Sequence, residues 1–227
     1  MRALASALLL LVASALAQSQ YPSMKKTARF LSLQTWDGRL DEALARRGAV
    51  KGAPAAWRPG DPHWEAAKAK CLARFAKRID DLIDAPEPRE IAAKSFVTVF
   101  NGGDADAAGA KLAALGPELI NYSDNVIIAV DLLMERKSSN PLDPAMKEEI
   151  KSRRAKAGLH DPPKDAALTA AAADKSVQQF MTARSSAVQS LSSALNGQLQ
   201  LQFFDQQALF FKDMDDAIRD CGKAHGK

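Results

Sequence analysis

Cysteine and histidine are scarce in this chain. There are two cysteines, Cys71 and Cys221, and three histidines, His63, His160 and His225. Two cysteines cannot build a disulfide-dense scaffold, and no C-x-x-C pair exists to act as a redox centre. No two histidines lie four residues apart, and the one His–Cys pair at that spacing, Cys221 and His225, has no second such pair in the sequence to complete a site, so no metal is assigned. The chain also lacks a G-x-S-x-G elbow, a phosphate-cradling glycine loop and any serine, lysine or cysteine in a nucleophile signature. No catalytic residue and no cofactor follow from the pattern, which weakens an enzymatic reading. Aromatic residues make up only 6% of the chain. Lys and Arg total 31 against 27 Asp and Glu, a net charge of +4. The basic residues are scattered among nearly as many acids, which argues against a dedicated nucleic-acid surface.

Long apolar runs are absent after the first seventeen residues. Arg2 supplies an early positive charge, Leu8 to Val12 form an apolar core, and Ala15-Leu16-Ala17 is an A-x-A site before Gln18. This reads as a secretory signal peptide, residues 1–17, too short for a permanent membrane anchor. No cysteine follows the cleavage site, which closes the lipoprotein route. A periplasmic or secreted bacterial protein without a transmembrane segment is expected, folded over residues 18–227.

In an oxidising compartment Cys71 and Cys221 can form a single intramolecular bridge. It would close a loop of about 150 residues and stabilise the fold by roughly 5 kcal/mol on the chain-entropy model.

What the chain does carry is helical periodicity. The stretch MKKTARFLSL, 24–33, predicts a short amphipathic helix, broken by Trp36-Asp37-Gly38, and Leu40 to Gly48 predicts a second. Gly52, Pro54, Pro59, Gly60 and Pro62 make 49–63 an irregular connection, within which Trp57 either packs down or forms a ligand platform. Asp61-Pro62 is a capped helix start, and the helix it opens runs to about Ile83 with Trp64, Cys71, Phe75 and Ile79 on one face. Pro86 and Pro88 close that segment. Ile91, Phe96, Val99 and Phe100 build the next helix, followed by the turn Asn101-Gly102-Gly103 and a helix over 105–115. Pro117 opens a helix with Leu119, Ile120, Val126, Ile127, Val130, Leu133 and Met134 as core candidates. Asp143-Pro144 opens another, ending at Gly158 with its basic residues biased to the last turns.

The sharpest boundary in the mature chain is Pro162-Pro163. A subdivision at 159–164 would be crossed by the Cys71–Cys221 bridge, so one intertwined domain is expected. A long helix over 173–221 then follows, with Val177, Phe180, Val188, Leu191, Leu195, Leu199, Phe203, Phe210, Met214 and Ile218 at three- and four-residue spacing. Asn196-Gly197 inside it predicts a kink or break. No sustained strand alternation occurs. The expected fold is all-α, a helical bundle-like domain of about seven helices with a long C-terminal helix.

Two features of that helix bear on function. Phe203-Phe204 and Phe210-Phe211 are adjacent pairs, and neighbours on a helix diverge by about 100°. One stripe needs only one of each pair, so either both sides are covered by the bundle or one meets a partner or apolar ligand. Asp213, Asp215, Asp216 and Asp220 form an acidic patch, with Lys212–Asp216 and Asp215–Arg219 at i, i+4 as in a solvated, ion-paired face. The segment from Asn101 to Asp106 lacks the third oxygen position, the central glycine and the terminal glutamate of a calcium loop; a turn plus an N-cap accounts for it.

Ala28-Arg-Phe-Leu-Ser-Leu-Gln-Thr-Trp36, followed by Arg39-Leu-Asp-Glu-Ala-Leu44, resembles the first helices of an uncharacterised family of exported bacterial helical proteins. That family carries an F-[ST]-x-x-E-L-x-x-L-x-x-F-Y-x-[ST]-P-x-G signature. Phe100 to Pro117 has its layout, with Leu112 and Leu115 in a capped helix before a proline. It departs in Asn101, in the missing Glu-Leu and Phe-Tyr pairs, and in Gly116. The resemblance spans 24–135 and implies a fold and a compartment, not an activity.

The reading is an exported, non-enzymatic helical protein that binds a protein or cell-envelope partner, as a homodimer or with another protein. Its candidate contact residues are Phe203, Phe204, Phe210, Phe211 and Trp57. A small-molecule or lipid binder with an apolar cavity is one alternative. An envelope hydrolase using scattered carboxylates is the other.

Overall fold

The computed structural model describes residues 2–48, 62–100, 117–136 and 143–205. Within these, the side chains of residues 2–20, 43–44, 47–48, 62–64, 66–67, 70–71, 136 and 202–205 are not described. The described residues form seven helices and no strand: α1 Arg2–Gly48, α2 Pro62–Ile83, α3 Pro86–Val99, α4 Pro117–Arg136, α5 Pro144–Lys156, α6 Ala166–Ala173 and α7 Lys175–Asp205. The fold is all-α, and α7 is the long C-terminal helix. Among the described residues no helix is long and apolar enough to cross a membrane.

The chain divides into two compact units. One comprises 1–31 and 86–191; the other comprises 32–85 and 192–227. Residues 159–164 lie inside the first unit rather than at a division, and α1 and α7 each contribute residues to both units.

The first unit is built around aromatic contact. Phe96 and Phe100 on and just after α3 lie with ring centroids 5.7 Å apart, and both meet the edge of Phe180 on α7, at 5.2 and 5.9 Å. Offset and edge-on arrangements match the positive rim of one ring to the negative face of another. Around them Met24, Ala28, Ala92, Val177, Ala183, Ala187, Val188 and Leu191 are buried. The alanines and serines of α7 permit close approach to α3, where Ser95 shares hydrogen bonds of 2.9 Å with Ser186 and Ser190. Leu132 of α4 packs with Met146 and Ile150 of α5.

In the second unit Trp36 of α1 stacks on Phe75 of α2 at 4.5 Å and an interplanar angle of 15°. Leu40, Ile79, Ile83, Leu195 and Leu199 are buried with them. Lys68 of α2 donates to Asp37 at 3.0 Å and Asp41 at 2.9 Å, one turn apart on α1. Burial pulls the Lys68 ammonium down, but hydrogen bonds to Asp41 and Asp37 outweigh it, and its pKa is raised.

Local signals explain several boundaries. Asp143 accepts from the amide of Ala145 at 2.8 Å with Pro144 at the first helical position. The end of α5 is a Schellman motif: Gly158 takes a φ of +70°, its amide donates to Ala155, and Leu159 donates to Arg154. Like Asp143, Asp165 and Asp174 are N-caps, accepting from the amides of Ala167 and Ser176 at the starts of α6 and α7.

Elsewhere tertiary structure overrides local preference. Helix α1 runs unbroken through Trp36-Asp37-Gly38, because Trp36 is buried on Phe75 and Asp37 is held by Lys68. Helix α3 begins at Pro86, not Ile91. Both prolines fall in its first turn, where amides have no intrahelical acceptor and a missing N–H costs nothing. Helix α7 passes through Asn196-Gly197 without a break, anchored on either side by buried Leu195 and Leu199.

A Cβ added at Gly38 or Gly197 would meet nothing within 4 Å. Glycine in a helix interior costs about 0.5–1 kcal/mol relative to alanine. Gly38→Ala and Gly197→Ala should each stabilise the protein by about that amount, read as a higher urea midpoint with an unchanged slope. A lower midpoint would mean that these positions need glycine's backbone freedom.

Candidate interaction surface

Helix α4 buries polar residues alongside Leu119, Ile127, Ile128 and Leu132, and is apolar on part of its exposed side. Asn121, Ser123, Asp124 and Asn125 are all buried, each less than 8% exposed. Each makes at least one hydrogen bond, although Oδ1 of Asn125 has no partner among the described residues. Arg184 of α7, with no exposed surface, donates through Nη1 to Asp124 and to Ser123 at 3.2 Å, and through Nη2 to Ser23 of α1 at 2.8 Å. One guanidinium therefore joins α1, α4 and α7. Its Nε has no hydrogen-bond partner among the described residues.

One turn towards the start of α4, two asparagines hold the segment that follows α5. Asn121 and Asn125 each donate to the carbonyl of His160 at 3.0 Å, and the His160 amide donates to Asn121 Oδ1 at 3.4 Å. Arg154 of α5 donates to the carbonyl of Asn125 at 3.0 Å, and burial lowers the pKa of its guanidinium. The His160 ring contacts both oxygens of Glu118, at 3.0 and 3.1 Å. These bonds leave α4 little freedom to rotate about its axis, which decides what it shows to solvent.

It shows Val126, Val130 and Met134, which are 40%, 37% and 68% exposed. They stand four residues apart, one above another on the helix surface. Half-buried Tyr122 extends the row by a turn. All three had the sequence signature of core residues, and in this they are corrected. Apolar side chains surround α4 beyond Ser123, more than its neighbours α5 and α6 and the Arg184 side can cover.

Helix α5 borders the row. Met146 and Ile150 face Leu132, while Arg153 turns to one flank, bonding Glu135 at 2.7 Å and Glu149 at 3.2 Å. Burial works against the Arg153 charge, but those two carboxylates more than offset it and its pKa is raised. At about 100° per residue, Lys147 and Lys151 project from the opposite flank of α5, the flank that borders Val126 and Val130. Both lysines are exposed. The surface is thus a short apolar row with a basic margin.

Among the described residues no group of three or more His, Cys, Asp or Glu side chains is placed to hold a metal ion. The side chains of Cys71, Phe203 and Phe204 lie outside the described residues, as do Trp57, Phe210, Phe211 and Cys221. Of the two apolar residues of 198–214 whose side chains are described, Leu199 is buried and Leu201 is 67% exposed. The Val126–Met134 row could have been suspected by the argument applied to the phenylalanine pairs, since adjacent apolar residues outnumber one face. Nothing in the sequence marked Arg184.

The chain matches no protein-family model, and no curated protein and no solved structure match it.

Two stability predictions follow from the polar side of α4. Asp124→Ala would leave the Arg184 charge buried and unpaired, a loss of about 3–5 kcal/mol. A urea midpoint corresponding to less than 1 kcal/mol would show that Arg184 reaches water. Asp131 is half-buried; burial raises its pKa, Arg153 lowers it in part, and Glu135 raises it further. The folded chain therefore holds the Asp131 proton more tightly than the unfolded chain. Stability from this group is lost as pH rises from about 4 through the raised value. Asp131→Asn should raise the melting temperature at pH 7, with the gain shrinking as pH approaches 4; a gain independent of pH would contradict the assignment.

Proposed function

We propose that the chain is an exported, non-enzymatic helical protein that binds a helical segment of a partner across the Val126–Val130–Met134 row. The observation that carries this reading is the row itself. Apolar side chains at i, i+4 and i+8 are what a helix presents to another helix, and contiguous exposure is a mark of interaction surfaces, unlike isolated surface leucines. A lipid surface suits it less well, since Val126 and Val130 are short and only partly exposed.

Export rests on the leader pattern and on the resemblance to exported helical proteins. Pro22 adds support. Within α1 it removes one helical bond and crowds the carbonyl of residue 18. After cleavage at Ala17, a helix capped by Ser19 would hold Pro22 in its opening turn, where the lost N–H is one of the amides without an acceptor. The Cys71–Cys221 bridge belongs to the same reading, as the staple an oxidising compartment would allow.

The test is a photo-activated cross-linker placed at Met134, with Glu148 on an exposed side of α5 as control, in a producing bacterium. A chain recovered outside the cytoplasm with Gln18 at its N-terminus, and one discrete adduct from position 134 absent from 148, are the expected outcome. No adduct, or equal adducts from both positions, would overturn the partner-binding reading.

A further inference from the structure

We infer that the segment seated on the α4 row is residues 206–221 of a second copy of this chain. The inference rests on the partner-binding reading above and names the partner.

The surface sets three requirements. An occupant must present an apolar ridge with a four-residue repeat to match Val126, Val130 and Met134. It must span about 12 Å, the rise of eight helical residues. It must be acidic along one flank, where exposed Lys147 and Lys151 border the row.

The chain's own sequence after Asp205 meets all three. Phe210, Met214 and Ile218 repeat at four-residue spacing over the same eight residues. On a helical period Asp213, Asp216 and Asp220 fall together along one flank of that ridge, within about 60° of one another. Asp213 has no basic residue three or four positions away, and Asp220 has only Lys223, so the flank carries more acid than its own helix neutralises. The Phe210-Phe211 pair, too apolar for a single stripe, then has a use: Phe210 belongs to the ridge and Phe211 broadens it.

Pairing two α4 rows directly is the poorer alternative. In an antiparallel arrangement the α5 margins of both copies fall on the same side, setting Lys147 and Lys151 against their counterparts. Exchange of 206–221 sets lysine against aspartate instead, and when each copy both gives and receives a segment the assembly closes as a twofold dimer.

The test is sedimentation of residues 18–227 over a concentration range at low and high salt. A concentration-dependent dimer, weakened at least tenfold by Val130→Asp with Met134→Asp, is expected. Both positions are exposed, so unchanged helical circular dichroism will show that the variant folds. Lys147→Glu with Lys151→Glu should weaken the dimer, and adding Asp213→Lys with Asp220→Lys should restore it. A monomer at every concentration, a dimer indifferent to Val130 and Met134, or a charge reversal that the second exchange fails to rescue would each overturn the inference. A monomer in solution that still gives an adduct from position 134 with a different protein would leave the partner-binding reading standing and remove only the second copy.

Discussion

The contact on which the first unit depends is the buried guanidinium of Arg184. A charge without exposed surface is expensive unless it is paired and hydrogen-bonded. Here it bonds Asp124 and Ser123 of α4 and Ser23 of α1. Three helices distant in sequence must arrive together to satisfy it. Apolar packing alone tolerates sliding and rotation at modest cost, whereas a directional set of bonds around one buried cation admits very few arrangements. The aromatic contacts among Phe96, Phe100 and Phe180 supply burial. Arg184 supplies the register.

That register has a consequence on the far side of α4. A helix with apolar residues all round would ordinarily turn its polar residues to water. In α4 the polar residues Asn121, Ser123, Asp124 and Asn125 are claimed from inside, by Arg184 and by the segment carrying His160. Some apolar residues must then face outward. The exposed row of Val126, Val130 and Met134 is thus the other side of the same constraint, and the proposed interaction surface is tied to the interior network. The same inversion explains why these residues read as core: their spacing is that of a buried stripe, and only their neighbours decide otherwise.

Much of the helical architecture was legible in the residues. Asp143-Pro144, Gly158 and Pro117 mark helix ends through local chemistry, and the α7 stripe from Val177 to Leu199 is buried as its spacing implies. The errors share one cause. Trp36-Asp37-Gly38 and Asn196-Gly197 have the local character of breaks, and at each the helix continues because flanking side chains are buried or bonded. Pro86 and Pro88 have the local character of a terminus, although a first helical turn accepts them equally well. Glycine and proline carry local preferences of about 1–3 kcal/mol, and tertiary contacts of similar size decide between the readings.

The sequence by itself determined the helical class, most helix ends and the greasy face of α7, because capping, proline chemistry and periodicity act within a few residues. Tertiary structure alone decided which way α4 turns, since Arg184, Ser23 and Asp124 come together only in the folded chain. A lone arginine among glutamines and serines looks like any surface residue until its partners are in place. For that reason the exposed row on α4 belongs to the fold and not to any motif.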